Sequence, residues 1–401
     1  MAGETIRQFR EWFWRPPRAH GEVEHERTVS YLELLYDLVY VAVIAQAAGR
    51  LSEDVSVGRV AEFAVVFGLI WIAWVNGTLY LELHGREDGR TRLFVFVQMG
   101  ILALLAVFAG IAAEGVGGAR FALAYGAFLL IQTWMWNSVR RLGTPQVARV
   151  TLMYELVLLG SALVILASDF LAPGARVIAW TAFVAAWIAM MILLGFRTRS
   201  FSIGVTPTHS MVERFGLFVI IVLGEVIFGV VEGLSHGEQD LLTIGTGSVA
   251  LIVGLGLWWI YFDLVGRRAP RAEGRAIATW ILSHLPITLA IAAAGAAMVS
   301  LIEHAHDPVA PELTSWLIAG SVAVVLAGQI VHGWSLSDAR RLADAYRVLA
   351  IAMSVAAVSA LVVGALRPAP WLLALLLGLI LLVLWFVAVA TFIRAKAWPT
   401  G

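Results

Sequence analysis

Polar residues are sparse along this chain. They fall in short clusters that separate apolar runs of roughly twenty residues, the length that crosses about 30 Å of hydrocarbon at 1.5 Å per helical residue. Twelve such runs are predicted, near 31–50, 60–83, 92–113, 119–140, 147–169 and 175–196, then 211–232, 241–265, 277–301, 313–335, 344–366 and 369–393. Strands that cross a bilayer are shorter and alternate in polarity, so these runs predict helices. The fold class that follows is an all-α polytopic membrane protein.

Composition supports the pattern. Of 401 residues, 60% are hydrophobic and 14% charged, against roughly 25% charged in soluble domains. The 16 Trp and 37 Gly suit interfacial belts and close helix contacts. A net charge of zero gives no nucleic-acid footprint, and the lack of cysteine excludes disulfides and thiolate metal sites. The charged N-terminus lacks a short apolar core with a cleavage site, so no removable signal peptide is expected. Of the 28 Lys and Arg, all but Arg50, Arg59, Arg120, Arg176 and Arg367 fall at ends and loops on one side of the twelve-span arrangement. The positive-inside rule then places both termini in the cytoplasm, with the chain multi-pass in the membrane.

Weak internal matches suggest a repeat. Glu33 opens the first span and Glu213 the seventh. Trp71-Ile-Ala-Trp-Val-Asn76 resembles Trp258-Trp-Ile-Tyr-Phe-Asp263, Asp88-Gly-Arg90 resembles Glu273-Gly-Arg275, and Arg149-Val150 resembles Arg347-Val348. Six spans is an even number, so two such sets would insert in the same direction, as parallel-repeat transporters do. The expected organisation is an interfacial segment over 1–29, six-helix repeats over 30–200 and 201–396, and a tail over 397–401. Arg15-Pro-Pro-Arg18, after Glu11-Trp-Phe-Trp14, reads as an interfacial anchor.

Candidate chemistry lies in the polar residues inside spans, which are costly in hydrocarbon and default to functional hypotheses. Glu33 and Asp37, four residues apart, share one helix face near the cytoplasmic end of the first span. Glu82, Glu155, Glu213, Arg214, Asp263 and His284 gather in the same half of the bilayer. Glu225 is 12 residues beyond Glu213, roughly 18 Å deeper, so it lies near the midplane and needs a proton, a partner or a polar cavity. Gln46 has a comparable depth, and Asn76, Gln98, Gln132 and Asn137 supply further amides. The plainer readings are helix caps for Glu33, Glu82 and Glu213, ion pairs of Asp37, Glu155 and Asp263 with Arg149, Arg214 or Arg347, and a kink partner of Pro286 for His284. His209-x-x-x-Glu213 and the outer-loop Glu303-His-Ala-His-Asp307 have ligand-like spacing but specify no metal, and no cofactor or catalytic group is assigned.

Ser30-Tyr-Leu-Glu-Leu-Leu-Tyr-Asp-Leu-Val-Tyr-Val41, with Gln46, resembles the opening signature of the bacterial low temperature requirement A protein family, usually Glu-Leu-Phe-Phe-Asp-Leu-Val-Phe-Val. Leu35, Tyr36 and Tyr40 replace aromatic positions and leave the carboxylates in place. His209 with Glu213-Arg-Phe-Gly-Leu-Phe-Val-Ile-Ile-Val-Leu-Gly-Glu225, then Trp258–Asp263 and His284-Leu-Pro286, are similar to further blocks. The resemblance implies motif membership for Glu33, Asp37, His209, Glu213, Arg214, Glu225, Asp263 and His284. It implies no activity, since the family takes its name from growth in the cold. The function expected from the residues is a secondary, proton-coupled transporter of a small solute or ion. Its pathway would use Glu33, Asp37, Gln46, Glu155, His209, Glu213, Arg214, Glu225, Asp263 and His284. The alternatives are a cation channel of six-helix repeats, which would need at least two chains, such as a homodimer, to enclose a pore, and a sensor or lipid-handling protein linked to cold. An enzyme is not expected, because the spans offer no clear nucleophile or metal shell.

Overall fold

The computed structural model describes residues 2–18, 28–86, 88–141, 144–197, 207–238 and 240–395. The expected tail at 397–401, Arg27 and Lys396 lie outside the described residues. The order is α1 (Ala2–Phe13), α2 (Tyr31–Glu53), α3 (Val57–His84), α4 (Gly89–Ala109), α5 (Gly115–Arg140), α6 (Pro145–Ala167) and α7 (Pro173–Arg197). It continues with α8 (His209–His236), α9 (Leu241–Tyr261), α10 (Gly274–Glu303), α11 (Glu312–Ser335), α12 (Ala343–Leu366) and α13 (Pro370–Arg394). Twelve of these, α2 to α13, are long and apolar enough to cross a membrane. No strand occurs among the described residues.

Local chemistry sets the boundaries. Ser30 and Glu33 close a capping box, with Ser30 N–H donating to Glu33 Oε2 at 3.0 Å and Glu33 N–H to Ser30 Oγ at 3.3 Å. Asp88, Thr144 and Asp240 each accept from a backbone N–H three residues on, capping α4, α6 and α9. Glu273, aligned with Asp88 in the sequence, makes no such side-chain bond. Arg367 ends α12 in the left-handed region at φ 48°, one residue before Pro368. The third span stops at Ala109 rather than 113, because Gly110 begins a series of tight turns running to Glu114. The chain leaves α9 through a π-helical turn, Phe262–Gly266, whose extra residue re-aims the side chains that follow.

The five arginines that stand apart from the rest in the sequence have local partners. Arg50 pairs with Glu53, Arg59 with Glu62, Arg367 with Glu312, and Arg120 lies over the Phe108 ring. Arg176, 4% exposed, donates to the carbonyls of Gly115 and Ser168. Arg18 departs from the surface anchor expected of it. It is buried, its guanidinium donates to the Leu81 and Glu82 carbonyls, and it exchanges further bonds with His84, so it caps the C-terminus of α3.

Two compact units make up the chain. The first holds residues 1–47, 65–187 and 200–211, and the second holds 48–64, 188–199 and 212–401. In the second unit α10 is buried along most of its length. The α8 segment packs on α10 through Gly229-x-x-x-Gly233, where Gly229 meets the Gly295 carbonyl and Gly233 meets Val299 and Ile302. A Cβ on Gly295 would come within 2.6 Å of the Glu225 backbone. Glycine is required there by close approach.

Candidate functional site

In the first unit, the acids expected along a pathway are satisfied by neighbours. Asp37 is fully buried and accepts from the Trp74 indole N–H of α3 at 2.9 Å. Glu155 on α6 accepts from Arg140 Nε at 3.1 Å and Asn137 Nδ2 at 3.2 Å, both on α5. Its ion pair is with Arg140 rather than the arginines proposed from sequence, because Arg140 ends the adjacent antiparallel helix. Glu33 serves the capping box. Glu82, 8% exposed, accepts from the hydroxyls of Ser210 and Thr208. The residues flanking His209 therefore reach a buried acid, while His209 itself is exposed. Gln46 is exposed as well. Nine residues at 100° each place it opposite Asp37 on α2, so depth alone misassigned it to the polar interior.

In the second unit, Asp263 accepts from the Trp385 indole N–H of α13 at 2.9 Å. Asp37 and Asp263 thus each bind an indole within their own unit. Arg214 is 1% exposed and Glu213 half-buried at the start of α8. His284 on α10 is fully buried. Its Nδ1 lies 2.7 Å from the Trp280 carbonyl, which can only accept, so the ring proton is on Nδ1 and Nε2 accepts from the Tyr261 hydroxyl at 2.9 Å. His284 ties α10 to α9 instead of serving Pro286 alone.

Glu225 stands apart. It lies near the middle of α8, is 5% exposed, and its Oε1 has no hydrogen-bond partner. Glu232 is exposed two turns further along the same helix. Every other buried acid named above has at least one hydrogen bond to a side chain or backbone group.

Two residues passed over by the sequence reading complete the second unit's buried polar cluster. His332 on α11 packs edge-on to His284 with ring centroids 4.8 Å apart, and its Nδ1 lies 2.9 Å from Ser283 Oγ. Gln329, one turn earlier, is 1% exposed with both amide atoms unpartnered. A histidine and a glutamine inside an apolar run were the available signal. At the loops after α8 and α10, His306 lies 3.1 Å from Asp240 and 3.7 Å from Glu238, and His236 lies 3.5 Å from Glu303. The Thr243 backbone N–H, and then its hydroxyl and His306, hold the Asp240 carboxyl below the usual range. These contacts form a solvated loop–loop set of histidines and carboxylates.

The profile described as Bacterial low temperature requirement A protein (LtrA) matches residues 28–391. An uncharacterized protein of Rhizobium meliloti (strain 1021) is 29% identical over 274 residues, covering 64% of this chain and 66% of that protein. The chain thus spans about two thirds of its relative's length. No solved structure matches the chain. A match over nearly the whole length, containing every block quoted for the resemblance, places this multi-pass helical chain in the bacterial low temperature requirement A protein family.

Proposed function

We propose that this protein is a secondary transporter that moves a small solute or ion across the bacterial plasma membrane with proton exchange at Glu225. The observation that carries the reading is the contrast between Glu225 and the other buried acids. This chain satisfies a structural carboxylate with an indole, a guanidinium or hydroxyls, as at Asp37, Glu155 and Glu82. Glu225 has an oxygen with no partner in the middle of a membrane-spanning helix. A carboxyl kept there for packing gains nothing over glutamine. A carboxyl that alternately holds and releases a proton explains its retention. Asp37 and Asp263 are then helix-joining groups rather than a vestibule.

The reading includes two parallel six-helix repeats, supported by the ordered sequence matches, and cytoplasmic termini, supported by the one-sided arginines. It assigns no catalytic group, cofactor or nucleic-acid partner. The lipid bilayer and a small solute are the partners.

The test uses proteoliposomes with a trapped pH-sensitive dye, screened against solutes. A solute that moves protons with wild-type protein is expected to move none with Glu225→Gln. Wild-type proton movement by Glu225→Gln would remove the role given to Glu225. Unitary currents in a planar bilayer would replace the transporter by a channel.

A further inference from the structure

Helix α1 is unlike the twelve long apolar helices that follow it. It has 12 residues and mixes charged with apolar and aromatic positions. Ile6, Phe9 and Phe13 follow at three- and four-residue intervals and so share one face, with Trp12 at its edge. Glu4 lies on the opposite face. Ile6 is 67% exposed and Phe9 59%. The rings of Phe9, Trp12, Phe13 and Trp14 pack in series with centroids 5.4–6.2 Å apart, which makes the apolar surface continuous.

The residues after this face fix where it lies. Phe13 rests against Gly89, and the Arg92 guanidinium lies over the Trp12 ring, both in the first turn of α4. Arg90 Nη1 donates to the Arg15 carbonyl at 3.4 Å and Arg86 Nε to the Pro16 carbonyl at 3.2 Å, while Arg18 caps the end of α3. Residues 12–18 are thereby fastened to the turn between two membrane-spanning helices, and such a turn marks the bilayer boundary. The segment Arg15–Arg18 is therefore a latch, and the surface offered at that boundary is the face of α1. An exposed apolar face held there is best matched by the boundary between headgroups and acyl chains. Charge then selects among lipids. By sequence, α1, residues 14–18 and residues 85–92 hold seven arginines against Glu4, Glu11, Glu87 and Asp88. Arg18 and Asp88 are engaged as caps, of α3 and α4 respectively. The excess is positive, which favours anionic headgroups.

We propose that α1 lies in the membrane interface as an anionic-lipid-binding helix. Ile6, Phe9 and Trp12 enter the headgroup–acyl boundary, and the arginines, with Arg15 and Arg92 the exposed ones, meet lipid phosphates. This binding depends neither on transport nor on Glu225.

The test uses the full-length protein in lipid nanodiscs. The chain has no cysteine, so a nitroxide can be placed singly through Ile6→Cys, Phe9→Cys or Glu4→Cys. Its collisions with oxygen, which enters lipid, and with a water-soluble nickel chelate report its surroundings. In membranes containing phosphatidylglycerol, labels at Ile6 and Phe9 should favour oxygen, and the label at Glu4 should favour nickel. In phosphatidylcholine alone, the Ile6 and Phe9 labels should shift toward nickel. Arg15→Gln keeps the carbonyl that Arg90 uses, and should lower the ratio of docked to undocked α1 on the order of fivefold, the worth of one arginine at an anionic surface. Should Phe9→Cys disturb the ring series, Ile6→Cys gives the same readout without touching a ring. Nickel-favoured collisions at both positions would put the face in water, and few collisions with either probe would put it against protein or a second copy of the chain. Either result overturns the proposal, as does equal docking in the two lipids.

Discussion

Trp74 and Trp71 occupy the same helix, both fully buried, yet only the Trp74 indole N–H has an acceptor, the Asp37 carboxylate. Replacing either by phenylalanine removes similar volume. Trp74→Phe also takes a charge-assisted hydrogen bond from a buried carboxylate, a cost of about 1–3 kcal/mol. The expected result is a clearly lower thermal unfolding midpoint in detergent for Trp74→Phe than for Trp71→Phe. Equal midpoints would show that the indole does not support Asp37. Residues also differ in how legible they were. Ser30 and Glu33 form a local signature that can be read without a structure, because both partners sit within one helical turn. Trp74 is 37 residues from Asp37, and one indole among 16 cannot be selected by pattern. His332 and Gln329 were visible as polar residues in an apolar run, but their unpartnered atoms are a property of packing.

Helices in lipid associate through close packing, since hydrocarbon offers no hydrophobic drive between them. On α8 and α10 that closeness is set by Gly229, Gly233 and Gly295. A side chain on Gly295 meets the Glu225 backbone, which cannot yield without moving the helix. Gly295→Val is therefore expected to abolish recovery of folded protein, measured as the monodisperse fraction in size-exclusion chromatography. Gly245→Ala on α9 has open space around its Cβ. It should be tolerated, or gain up to about 1 kcal/mol from helix propensity. Comparable losses from both variants would rule out close approach as the reason for Gly295. Element boundaries were read well where capping residues or glycines mark them, and poorly at Ala109, where apolar residues continue past the end of the helix.

Across the whole molecule, the absence of cysteine allows single cysteines to report on topology directly. Asp54 and Asp307 are exposed in loops assigned to the outside, and Arg340 is exposed in one assigned to the cytoplasm. In intact cells, a membrane-impermeant maleimide should label Asp54→Cys and Asp307→Cys, and should label Arg340→Cys only after lysis. The reverse pattern would invert the orientation taken from the arginines.

The amino-acid sequence by itself determined the twelve described helices that are long and apolar enough to cross a membrane, roughly where each begins and ends, and which family the chain joins. These depend on run length, hydropathy and short-range motifs, which act within one helix. Only the tertiary structure decided that Asp37, Glu155, Glu82 and Asp263 are engaged, that Gln46 faces outward, and that Glu225, Gln329 and His332 keep polar atoms unpartnered. The physical reason is that burial of a polar group costs little when a neighbouring helix supplies its hydrogen bond and much when none does. Which neighbour arrives is fixed by how helices pack, and not by the depth of the residue along its own span.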